Sequence, residues 1–78
     1  MIDEERAGDE IAQLIYDARN RAGLTQKELA DLIGTSQPTV ARLEDADYDG
    51  HSLGMLRRIA AALHLRLELR LIPDQEAA

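Results

Sequence analysis

Residues 24–44 read Leu24-Thr25-Gln26-Lys27-Glu28-Leu29-Ala30-Asp31-Leu32-Ile33-Gly34-Thr35-Ser36-Gln37-Pro38-Thr39-Val40-Ala41-Arg42-Leu43-Glu44. Thr25 followed three positions later by Glu28 is a capping box, in which hydroxyl and carboxylate each satisfy an exposed amide at a helix start. Leu29, Leu32 and Ile33 then recur at helical spacing, and Gly34 can take the left-handed conformation that stops a helix. Ser36 predicts a second N-cap, with Pro38 in the first turn, where a missing N–H costs little. Val40 and Leu43 are the inward residues of this second helix.

The same periodicity extends both ways. Upstream, Ile11, Leu14, Ile15, Ala18 and Ala22 recur at three and four, predicting a buried helical face. Asp9 is the expected N-cap of that helix and Gly23 its stop. Downstream, a polar loop from Asp45 to His51 leads to Ser52, the expected cap of a fourth helix with Leu53, Leu56, Ile59, Ala60 and Leu63 inward. At Leu63 the period changes. His64-Leu65-Arg66-Leu67-Glu68-Leu69-Arg70-Leu71 alternates polar and apolar, a strand's period of two, and Pro73 ends it. There are no repeats or low-complexity segments.

Two short capped helices joined by Gly34-Thr35-Ser36 leave room only for a tight turn. That is the spacing of a helix-turn-helix, whose first helix crosses the phosphate backbone while the second enters the major groove. Leu24 through Glu44 strongly resembles the Xre/Cro–CI family of helix-turn-helix proteins, and Ser52-Leu53 through Ala62-Leu63 resembles that family's closing helix. The resemblance covers residues 11–63. It implies a mainly α, lambda-repressor-like bundle of four or five helices and five DNA contacts. Gln26 matches a position that binds phosphate with its side chain and helix N-terminal amides. Ser36, Gln37 and Thr39 match the tip of the recognition helix, where a glutamine amide can pair bidentately with adenine N6 and N7. Arg42, one turn on, could reach a guanine or a phosphate; pairing with Asp45 is its alternative. Pro38 stands where relatives often read bases and can offer only apolar contact. The loop after Glu44 departs further: Asp45, Asp47 and Asp49 would repel phosphate.

The charge distribution bears on this reading. The chain has 78 residues and a formal net charge of −6, which taken alone argues against nucleic acid. Residues 1–10 carry −4, residues 45–50 carry −3 and the tail carries −2, whereas residues 11–44 are neutral and 51–72 carry +3. The acidity thus falls outside the recognition helix. With no cysteine, disulfides, thiolate metal sites and cysteine nucleophiles are excluded. His51 and His64 are isolated from each other and from any carboxylate pattern, so neither metal binding nor catalysis is expected of them. No nucleophile–base pair, phosphate loop or metal cluster is present; the sequence predicts neither an enzyme nor a cofactor. No apolar run approaches the roughly 18 residues of a membrane span, and the acidic N-terminus lacks a signal peptide's character, so a cytoplasmic protein is expected. Tyr16 and Tyr48 are read as packing residues with wet hydroxyls, and Arg57 and Arg58 as solubilising charges on the fourth helix.

A single amphipathic strand needs a ladder for its backbone groups, and no second strand is predicted. Pairing with the same strand of a second copy is the simplest solution, with Leu65, Leu67, Leu69 and Leu71 on a common face. Registers centred on Leu67 or Leu69 oppose arginine to glutamate; one centred on Glu68 opposes like charges. The expected organisation is an acidic arm (1–8), a helix-turn-helix DNA-binding domain (9–63), a dimerisation strand (64–72) and a tail (73–78). Within the family, the short length, acidic ends and C-terminal strand resemble HigA-like and HipB-like antitoxins. That resemblance implies a homodimeric repressor of a palindromic double-stranded operator that also neutralises a protein toxin. A free-standing Xre-type regulator, a restriction–modification controller, or an interaction module that has lost DNA binding are the alternatives.

Overall fold

A computed structural model describes residues 4–74 as four α-helices: α1 (Glu4–Arg21), α2 (Gln26–Ile33), α3 (Gln37–Leu43) and α4 (Leu53–Ala62). Each of the last three begins at an expected cap. Thr25 Oγ1 accepts from the Glu28 amide and the Glu28 carboxylate accepts from the Thr25 amide, closing the capping box. Ser36 and Ser52 each accept from the amide three residues on. Helix α1 does not begin at Asp9. It starts at Glu4, because Glu4-Glu5-Arg6-Ala7 are good helix formers that continue the helix past the capping signal. Residues 1–3 of the expected arm and 75–78 of the tail lie outside the described residues.

The core is one cluster of Ile15, Leu29, Ala30, Ile33, Val40, Leu43 and Ile59, against which Ile11, Met55, Leu56, Leu63 and Tyr48 pack. Leu29 and Val40, one from each helix of the motif, are fully buried and hold α2 against α3. Some of the expected inward residues are not inside. Leu14 and Leu32 are 68% and 57% exposed, because the buried face of α1 runs through Ile11, Ala12, Ile15 and Arg19 and that of α2 through Leu29, Ala30 and Ile33. Leu53 and Ala22, at helix ends, are also exposed.

Helix ends are closed by backbone turns. After α1, Gly23 (φ 74°) and Leu24 donate back to the carbonyls of Asn20 and Arg19. After α4, His64 and Leu65 donate to Ala61 and Ala60 in the same pattern, with His64 itself at φ 58°. His64 is therefore the left-handed residue that turns the chain out of α4. Among the described residues no strand ladder forms. Residues 65–74 follow α4 outside any helix, with Leu65, Leu69 and Leu71 exposed and Leu67 half-buried. The Glu68 carboxylate lies 2.9 Å from Arg66 and 3.7 Å from Arg70. Contacts between residues two apart on one side are what extended backbone produces. No helix is long and apolar enough to cross a membrane among these residues.

Candidate nucleic-acid interface

Gly34, at φ 74° and ψ 39°, ends α2 in the left-handed region, and within two residues the chain enters α3. A turn this short forces the two helices to cross, and Leu29 of α2 and Val40 of α3, both fully buried in the same core cluster, fix that crossing. What remains outside is the polar face of α3. Ser36, Gln37, Pro38 and Arg42 are exposed and Thr39 is half-buried.

The structure brings four of the five expected site residues into two linked pairs. Ser36 Oγ lies 2.9 Å from Thr39 Oγ1 and also accepts from the Thr39 amide, so its hydroxyl is engaged in capping α3. Gln37 Nε2 donates to Gln26 Oε1 at 2.7 Å, joining the first residue of α3 to the first of α2. Arg42 stands apart. Among the described residues no ion pair holds its guanidinium. Asp45, the alternative partner, instead uses its carboxylate to accept from the Asp47 amide.

Residues 15–69 match the helix-turn-helix family HTH_3. The chain belongs to the helix-turn-helix family of DNA-binding regulators. An uncharacterized HTH-type transcriptional regulator of Methanothermobacter thermautotrophicus is 44% identical over 50 residues, spanning 64% of this chain and 71% of its own length. A chain of the solved HipA–HipB–O2–O3 complex is similar at a TM-score of 0.70 and 27% identity, covering 94% of this chain and 97% of that one.

Beneath the helix-turn-helix surface lies an ion pair that the periodicities did not reveal. Arg19 Nε and Nη2 donate to the two Glu44 oxygens at 2.7 and 2.9 Å, and Nη1 donates to the Leu24 carbonyl at 2.7 Å. The side chains are 9% and 3% exposed. The hydrogen bond to Glu44 holds the Arg19 guanidinium above its ordinary pKa, against the opposing effect of burial. Tyr16 lies beneath the guanidinium, 5.4 Å from its ring centroid. Glu44 also accepts from Gln26 Nε2 at 3.2 Å, so the buried pair reaches the surface glutamines. A signal for this pair existed. Arg19 continues the α1 stripe Ile11-Ile15, and Glu44 follows Val40 by one turn, so each charge sits on an apolar face.

Other connections tie the motif to its flanks. His51 Nε2, 2.7 Å from the Leu43 carbonyl, bonds the loop before α4 to the end of α3, while its Nδ1 is buried with no partner among the described residues. The Tyr48 ring meets His51 edge-on and its hydroxyl donates to the Gly50 carbonyl, so it is not merely wet as expected. Arg58 donates to the Ile33 carbonyl at 3.4 Å, giving it a role at the end of α2 beyond solubility.

Proposed function

We propose that this protein is a sequence-specific transcriptional repressor that binds a palindromic operator as a homodimer. The observation that carries this reading is the exposed polar face of α3, held by a tight turn against α2 in a helix-turn-helix chain. Gln37 reads a base edge, adenine being the base whose donor and acceptor match an amide. Arg42 reaches a guanine or phosphate, and Gln26 contacts phosphate at the start of α2. Ser36 and Thr39 line the tip of the reading helix. The acidic loop 45–50 supplies none of these contacts, so one subunit binds modestly and affinity falls with salt.

Dimerisation through Leu65, Leu67, Leu69 and Leu71 supplies the second half-site. Recognition helices about 34 Å apart would meet successive major grooves on one face of the duplex. The exposed leucines and the one-sided Arg66-Glu68-Arg70 row support extended pairing of residues 64–72. The likeness to a chain of the HipA–HipB–O2–O3 complex, over nearly the whole of both chains, supports a further role as the antitoxin of a type II module.

A gel shift on the DNA upstream of the gene tests the first part. Gln37→Ala with Arg42→Ala should abolish a specific shift while the circular dichroism melt stays unchanged. No shift at low salt with any upstream DNA would favour an interaction module instead. Co-purification with the product of an adjacent gene, a ribonuclease or a kinase, tests the antitoxin role; a free-standing regulator or restriction–modification controller would show no such complex.

A further inference from the structure

We propose that the buried Arg19–Glu44 pair, acting through Gln26, sets the hydrogen-bonding polarity of Gln37, which makes Glu44 a positioning residue for adenine over guanine. The inference rests on the reading of Gln37 as a base contact. A glutamine amide is ambivalent: one end donates, the other accepts, and a half-turn exchanges them. Here each half-turn is decided by the group beneath. Glu44 is gripped by two Arg19 donors, and a carboxylate so held offers acceptors only. Gln26 must therefore present its NH2 group to Glu44, which turns Gln26 Oε1 toward α3. That oxygen only accepts, so Gln37 must present its own NH2 group to it, at 2.7 Å.

What Gln37 has left is fixed by subtraction. Its Oε1 is free to accept, and its second N–H is free to donate. Adenine shows a donor at N6 and an acceptor at N7 in the major groove and can engage both. Guanine shows two acceptors, N7 and O6, so the free Gln37 oxygen would face an oxygen. A Gln37 rotated to turn its NH2 group outward could donate to guanine, but its oxygen would then face Gln26 Oε1. The relay forbids that rotamer. The result is an adenine reader whose choice originates in a pair of charges that never touches the duplex.

The test selects sites from a randomised duplex library with the full-length protein. The base read by residue 37 is the position whose preference disappears in Gln37→Ala. Dissociation constants are then compared for adenine and guanine at that position. The wild type should prefer adenine about tenfold, within the usual discrimination of one bidentate pair. Gln26→Lys places a donor where the acceptor stood, so Gln37 should reverse and the preference should vanish or pass to guanine. Gln26→Glu keeps an acceptor toward Gln37, so adenine should stay preferred while affinity falls for both duplexes. A role limited to phosphate contact would change affinity equally for both bases in every Gln26 variant. Arg19→Met with Glu44→Leu, which removes both buried charges, should also erode the preference; if that variant does not fold, Glu44→Gln decides, since its amide can donate as well as accept and so no longer fixes which end of Gln26 faces it. A Gln26→Lys protein that still prefers adenine as strongly as the wild type would overturn the relay alone. A wild type that selects no common sequence would overturn the DNA-reading proposal, and the relay with it.

Discussion

Arg19 and Glu44 are 25 residues apart in the chain, and each is a charge on an otherwise apolar face. Burial of an ion pair brings little net stability, but removing one partner strands the other without water. Arg19→Ala should therefore destabilise the fold by about 3–5 kcal/mol, a large fraction of a small domain's stability. Arg19→Met with Glu44→Leu should cost less than either single replacement, because no charge is left stranded. Urea unfolding of Arg19→Ala, of Arg19→Met and Glu44→Leu singly, and of the double variant checks both statements. Periodicity could flag each residue as anomalous but could not name its partner, since pairing across 25 positions depends on how α1 packs against the end of α3. The exposed members of the site were easier to read. Gln26, Gln37 and Arg42 are polar at positions off the apolar stripe, which needs only local spacing to see.

At the level of elements, helix boundaries were legible wherever a side chain closes the backbone. Thr25, Glu28, Ser36 and Ser52 all do what their spacing implies. The start of α1 was not, because a capping residue is a preference that a preceding run of good helix formers overrides. The end of α4 was legible from the change of period at Leu63, but the residue that makes the stop was not. A left-handed stop is normally signalled by glycine, and here a histidine takes it. These two stops give opposite predictions. Gly34→Ala meets no neighbour within 4 Å, so its cost is conformational alone, about 1–2 kcal/mol. Its melting temperature should drop by roughly 4–8 °C per kcal/mol. His64→Gly removes a comparable strain and should raise stability by up to about 1 kcal/mol, less what glycine adds to unfolded-chain entropy. Paired thermal melts under one buffer decide the signs.

For the molecule as a whole, net charge is a poor guide and its placement a better one. The chain is acidic overall, yet the outward residues of α3 are neutral or basic, and the acids concentrate in the 45–50 loop and at the ends. The alternation of residues 64–71 pointed to extended backbone, but among the described residues no partner strand forms a ladder with it, and the proposed pairing would need a second copy. The proposed dimer makes a direct prediction. Leu69→Asp should sediment as a monomer and lose about a hundredfold in affinity for a two-half-site operator, with single-half-site binding unchanged. A dimer persisting at micromolar concentration would place the subunit contact elsewhere.

The left-handed turn at His64, followed directly by an alternating segment, also limits how such a chain can change length. One extra residue between His64 and Leu65 would send every leucine to the opposite side, whereas two would restore them. Lineages that keep the proposed pairing should therefore differ at this joint by even numbers of residues, a parity rule that sequence drift elsewhere in the protein need not obey.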